Sequence, residues 1–149
     1  MIRISRLADY GVVLMCEMSL SQGDTHSAHS LSEKTSMSES AIMKILKLLV
    51  KSNLLDSIRG PKGGYVVKKD PKDISVLDVV NATDGPVAVT ICSHDSYESC
   101  EFKAACAAER GWVNINNALQ TTLSGFTIAD FITSNEASKL IASESLVNI

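Results

Sequence analysis

Apolar residues in the first twenty positions recur at helical spacing. Leu7, Val13, Leu14 and Met18, with the neighbouring Tyr10, supply an apolar stripe, and Ser5 stands where an N-cap is wanted, so the pattern predicts a helix over 5–20. Ser21 to Asp24 reads as a turn. A short helix follows over Ala28 to Thr35, capped by Ser27, with Leu31 as its core residue. Thr35 to Met37 is a tight connection. Ser38 then caps a longer helix to about Ser52, in which Ile42, Ile45, Leu46 and Leu49 fall at i, i+3, i+4, i+7. Its other face carries Ser40, Lys44, Lys47 and Lys51. A short helix, a tight turn and a longer helix with a basic face are the pattern of a helix-turn-helix.

The period then changes. Leu54 to Arg59 and Tyr65 to Lys69 read as two strands, joined by Gly60-Pro-Lys-Gly-Gly64, where glycine and proline favour a sharp turn. This hairpin is a wing, and it presents Arg59 and Lys62 to a DNA backbone or minor groove. Asp70-Pro71 breaks the chain. Ser75 to Asp78 resembles a capping box and starts a helix to about Ala82, which Asp84-Gly-Pro86 ends. After a cysteine-bearing segment over 87–110, Trp112, Ile115, Leu119 and Leu123 mark an apolar helical seam that Gly125 interrupts. Thr127 to Asp130 caps a final short turn, and 133–149 reads as a fraying tail.

Charge sharpens this picture. The 149-residue chain carries a net charge of −3, which argues against nucleic acid when taken whole. Its distribution argues the other way: from Lys44 to Lys69 there are seven basic residues and one acid, Asp56. The local field steers binding to phosphate. A solvated basic face is the plain alternative. Lys68 and Lys69 read as a solvated strand end, and His26 and His29 as surface residues of a polar turn. No run is long and apolar enough to cross a bilayer, and the N-terminus has no signal-peptide core, so a cytoplasmic location with reduced thiols is expected.

Cys92, Cys100 and Cys106 are spaced C-x7-C-x5-C in one polar segment. Grouped soft thiolates suit iron–sulfur clusters. The same spacing leaves open a zinc site completed by His94, or plain redox thiols, although the C-x2-C knuckles usual for zinc are absent. Cys16, among Leu14, Met15 and Met18, reads as a core thiol. No Ser/His/Asp arrangement, phosphate loop or paired acids suggests an enzyme. An iron–sulfur carrier would need neither the basic helix nor the wing.

These residues resemble a family. The N-terminal ISRLADYGVVLM, the helix-turn-helix LSEKTSMSESAIMKILKLLVKSNLL, the wing SIRGPKGGYVV, the helix ISVLDVVNATDG and the three-cysteine segment are similar to the winged-helix regulators typified by the iron–sulfur assembly repressor IscR and the nitric-oxide sensor NsrR. The likeness runs from residue 1 to about 132, and TIADFI resembles members that control iron–sulfur assembly. It implies a homodimer on a palindromic double-stranded operator, paired through the helix after the cysteines. It places Ser38, Ser40 and Lys44 in the major groove, with Lys47 on the same helix. Arg59, Lys62, Gly63, Gly64 and Tyr65 belong to the wing, whose tip would enter the minor groove. Met43 stands where the assembly repressor has an acidic residue, so that repressor's operator does not transfer.

The resemblance also implies an iron–sulfur cluster on Cys92, Cys100 and Cys106, with 2Fe–2S the first expectation and 4Fe–4S the alternative. Glu109 lies where the assembly repressor carries a histidine. Asp9 lies where nitric-oxide-sensing relatives use an aspartate of the partner subunit. These two are the leading fourth ligands, followed by His94.

The fold expected is mainly α with a small β-hairpin wing: a winged helix-turn-helix over 1–82, a cysteine segment over 83–110, a long dimerisation helix over 111–132 and a tail over 133–149. The function expected is transcriptional regulation, with repression the leading sign, of iron–sulfur assembly genes in response to cluster status. The alternatives are a nitric-oxide-sensing repressor and a cluster-free thiol regulator.

Overall fold

The computed structural model describes residues 3–93, 100 and 105–135. His94, the rest of the cysteine segment and the tail from 136 onward lie outside the described residues.

Helix α1 (Arg6–Ser19) starts where Ser5 Oγ accepts from the amides of Leu7 and Ala8. Its buried face is Ala8, Gly11, Val12, Leu14, Met15 and Met18. Val13, expected in the apolar stripe, points outward instead, because the face turned to the core is centred on its neighbours Val12 and Leu14. Helix α2 (Ala28–Thr35) is capped by Ser27 and ends at Ser36 in the left-handed region, φ 59°. Ser32 Oγ donates to the Met37 carbonyl at 2.6 Å and so braces the turn. Helix α3 (Glu39–Lys51) buries Ile42, Ile45, Leu46 and Leu49, as its spacing requires. α1 and α3 pack together with α4 (Val76–Asp84), which contributes Val76, Val79 and Val80 to one core. The capping box at the start of α4 has both arms, Ser75 Oγ accepting from Asp78 N–H and Asp78 accepting from Ser75 N–H.

The wing is a two-stranded antiparallel hairpin, β1 (Leu55–Ile58) with β2 (Gly64–Val67), in register from Leu55 opposite Val67 to Ile58 opposite Gly64. Residue 26 adds an isolated bridge to it. His26 N–H donates to the Tyr65 carbonyl at 2.8 Å, and Tyr65 N–H donates to the His26 carbonyl at 2.9 Å. His26 is therefore buried, 5% exposed, against the expectation of a surface residue. The polar turn around it gave no sign that it would be covered by the wing. Lys68 is exposed at the end of β2, as expected, and reaches Asn53 at 2.6 Å and Asp56 at 3.3 Å.

Helix α5 (Glu109–Gly125) begins two residues before position 111. It stops at Gly125, Phe126 is extended, and a separate helix α6 runs over 128–135. The helix expected over 111–132 is thus two helices, divided where Gly125 was expected to interrupt it. Thr127 restarts the helix by exchanging hydrogen bonds with Asp130. Its position is set by the neighbouring chain: Val76 N–H donates to the Phe126 carbonyl at 2.8 Å, and Ile128 N–H to the Ile74 carbonyl at 2.9 Å. These bonds seat the fully buried Ile128 beside the start of α4. Residues 133–135, expected to fray, are helical.

Candidate nucleic-acid interface and cysteine segment

The candidate reading surface is built on α3. Ser38 caps it, with Oγ 3.4 Å from the Ala41 amide and 3.3 Å from Ser40 Oγ. Turned away from the core are Ser40, Met43, Lys44, Lys47 and Lys51, all exposed. In the wing, Arg59 and Lys62 are exposed while Gly63, Gly64 and Tyr65 are half-buried. Among the described residues no ion pair engages Lys44, Lys47, Lys51, Arg59 or Lys62. The one acid within the basic stretch, Asp56, is met by Lys68. Five free cations on a helix and a hairpin tip suit a polyanion.

Two glycines of the wing are required by close approach. A Cβ on Gly63 would collide with the Ile58 carbonyl, and a Cβ on Gly64 would lie 2.5 Å from the His26 carbonyl oxygen. Both obstacles are backbone, so no side-chain rotation relieves them. Beside the reading surface, the first residue of α3, Glu39, accepts from His29 Nδ1 at 2.7 Å, and His29 Nε2 lies 3.6 Å from Glu33. The hydrogen bond to Glu39, then the charges of Glu33 and Glu39, hold the imidazole above its ordinary pKa.

Cys92, Cys100 and Cys106 are all free and half-buried. Cys92 sits in a 3-10 turn (Ile91–Ser93), with Thr90 Oγ1 3.0 Å from its sulfur and 2.8 Å from Ser93 Oγ. Cys106 lies just before α5, whose first turn has no side-chain cap, and Glu109 is the first residue of that helix. Asp9 is exposed in the first turn of α1. It lines a groove of about 610 Å³ between α1 and α6, together with Val13, Cys16, Leu20 and Phe131. Burial pushes the Cys16 thiol up to about 11, so it stays protonated at neutral pH.

Three free soft donors on one segment fit the chemistry of an iron–sulfur cluster. Among the described residues, however, no three His, Cys, Asp or Glu side chains gather closely enough to hold a metal ion. The described conformation therefore does not itself assemble Cys92, Cys100 and Cys106 with Asp9 or Glu109. On α5, Trp112 and Ile115 are open, 40% and 48% exposed. Leu119 and Leu123, expected in the same seam, are half-buried and line a crevice with Val80 and Val87.

The model of the Rrf2 family, described as an iron-dependent transcriptional regulator, matches residues 4–134. The chain belongs to the Rrf2 family. Its similarity to the HTH-type transcriptional regulator IscR of Yersinia pestis is 28% identity over 135 residues, covering 90% of this chain and 81% of IscR. Among solved structures, CymR of B. subtilis, named as its global cysteine regulator, superimposes with a TM-score of 0.70 at 26% identity, covering 90% of this chain and 98% of CymR. IscR of T. potens has the same fold, with a TM-score of 0.70 at 23% identity over 92% of this chain and 90% of that one. This Rrf2 protein is a DNA-binding transcriptional regulator with a winged helix-turn-helix fold, and its relatives are regulators rather than enzymes. No helix among the described residues is long and apolar enough to cross a membrane.

Sequence reasoning missed three residues of this Rrf2 chain. Thr90, Asn116 and Gln120 hold the segment that carries Cys92. Asn116 Oδ1 accepts from the Val89 amide at 3.1 Å, and Gln120 Nε2 donates to the Val87 carbonyl at 3.0 Å. The available signal was two carboxamides at i, i+4 beside an apolar helical seam.

Proposed function

We propose that this Rrf2 protein is a homodimeric repressor that binds a palindromic operator and reports iron–sulfur status to iron–sulfur assembly genes. Three free thiols on the segment leading into the helix that bears exposed Trp112 and Ile115, in a chain with an unpaired basic reading face, carry this reading. Trp112 and Ile115 meet their counterparts across a two-fold axis. That pairing sets two α3 helices about one DNA turn apart. Ser38, Ser40 and Lys44 approach base edges, while Lys47, Arg59, Lys62 and the Gly63–Gly64–Tyr65 backbone follow the phosphates and minor groove.

Cys92, Cys100 and Cys106 would hold the cluster, 2Fe–2S in preference to 4Fe–4S, with Asp9 of the other subunit or Glu109 completing it. When bound, the cluster supplies a cross-link that oxidants and nitric oxide break. The chain's own part is to hold residues 87–93 against α5 and so bias the spacing of the reading heads; a ligand shifts that balance only by its differential affinity for the two arrangements.

Anaerobic purification with iron and sulfide counts tests this. The expected material is brown, Cys100→Ala loses the visible absorbance, and mobility shift separates loaded from metal-free protein. Colourless, metal-free protein that holds its promoter equally well would refute it. Such a result would favour a cluster-free thiol regulator. The likeness to CymR, named as a global cysteine regulator, supports that second reading.

A further inference from the structure

The inward face of α5 is apolar at Leu119 and Leu123, yet its most buried residue is an asparagine: Asn116 is 3% exposed. A buried carboxamide is costly unless its polar atoms are matched. Asn116 is matched by the backbone of the Cys92 segment. Oδ1 accepts from Val89 N–H at 3.1 Å, and Nδ2 makes a longer contact, 3.5 Å, to the Ser93 carbonyl. One helical turn later Gln120 Nε2 donates to the Val87 carbonyl at 3.0 Å. From the other side, Asn81 Oδ1 on α4 accepts from Val87 N–H at 3.2 Å. Side-chain amides thus replace a strand ladder in fixing residues 87–93. Within that segment Thr90 joins Ser93 Oγ and the Cys92 sulfur through one hydroxyl.

An apolar side chain at 116 would fill the same space without choosing a register. The carboxamide accepts one alignment of the segment along the helix. Asn116 also adjoins Ile115 and lies one turn from Trp112, the two open residues of α5. The segment bearing the free thiol of Cys92 and the outward apolar face therefore meet on one helical turn.

We propose that Asn116 is the positioning residue that registers the Cys92 segment on α5, and that through it a change at Cys92 reaches the face bearing Trp112 and Ile115. The first half stands on the hydrogen bonds alone; the second rests on the sensing role proposed above.

The first half is tested on the reduced, metal-free full chain. Asn116→Leu keeps the branched shape and removes the hydrogen bonds, while Asn116→Asp keeps the acceptor for Val89 N–H. Hydrogen exchange and residue-resolved alkylation by iodoacetamide are read together. In Asn116→Leu the Val89 amide should exchange about tenfold faster, the scale of one lost hydrogen bond. Cys92 should alkylate roughly threefold or more faster while Cys16 and Cys106 keep their rates, since the opening is local. Asn116→Asp should restore Val89 protection. Should Asn116→Leu fail to fold, Gln120→Leu tests the same register from the adjoining turn, with faster Cys92 alkylation expected. Wild-type protection at Val89 with unchanged Cys92 labelling in a folded variant overturns the proposal. So does equal acceleration at every cysteine, which would mean general loosening.

The second half is read as the ratio of operator affinities of loaded and metal-free protein. Asn116→Leu should bring that ratio towards one. An unchanged ratio overturns the coupling, whereas a ratio of one already in the wild type refutes the sensing role and leaves the exchange result to decide the register.

Discussion

Replacing Gly64 by alanine tests how the wing is attached to the helix-turn-helix. The new Cβ would sit 2.5 Å from the His26 carbonyl oxygen and 2.9 Å from its carbonyl carbon, so β2 must move away from residue 26. The two backbone hydrogen bonds between His26 and Tyr65, 2.8 and 2.9 Å, are what the movement breaks. At about 1 kcal/mol net for each bond, the loss is about 2 kcal/mol. Alanine restricts the unfolded chain and returns roughly 0.5 kcal/mol. A net destabilisation of about 1.5 kcal/mol lowers the melting temperature by roughly 3–6 °C in a domain of this size.

Urea denaturation measures the first figure, and exchange of the Tyr65 amide locates it. Operator affinity should fall as well, because Arg59 and Lys62 ride on the displaced hairpin. Gly111→Ala is the control: a Cβ there meets nothing within 4 Å, and within α5 the change should stabilise by about 0.5–1 kcal/mol. A Gly64→Ala protein as stable as wild type, with Tyr65 protection intact, would refute the wing attachment described above.

Other substitutions probe the remaining parts. Lys47→Ala should weaken binding to all DNA sequences alike and reduce the salt slope by about 1, measured by anisotropy across a salt series; a loss confined to one base pair would make it a base reader instead. Leu49→Ala removes a fully buried side chain of α3 and should cost about 2–5 kcal/mol in urea denaturation, while a loss well below 1 kcal/mol would contradict the core assignment. The Asp130 carboxylate, bonded first by the Thr127 amide and then by its hydroxyl, titrates below the ordinary carboxylate range. Its cap therefore contributes fully above the ordinary value and is lost as pH falls through the lowered one. Thr127→Val should raise that titration only in part, since the amide remains; an unchanged carbon-detected titration would exclude the hydroxyl contact.

Local chemistry determined much of this protein directly from its sequence. Ser5, Ser27, Ser38 and Ser75 cap the helices where their spacing places them, because a cap involves residues only a few positions apart. The i, i+3, i+4, i+7 pattern of Ile42, Ile45, Leu46 and Leu49 likewise fixed which face of α3 is buried and which carries Lys44 and Lys47. Gly125 marked the end of α5 for the same local reason.

Contacts between distant positions were decided only by the tertiary structure. His26 is buried because residue 65 pairs with it across the chain, and a polar turn carries no local trace of that pairing. The apolar seam of α5 divides, with Leu119 and Leu123 turned to Val80 and Val87 and Trp112 and Ile115 left open, because periodicity gives a face but not its partner. Asn116 looks like an ordinary helix-surface residue until residues 87–93 lie against it. The three thiols are legible as a donor set, since softness is a property of the residue. Their convergence on one centre depends on how the chain between them folds, which spacing alone does not specify.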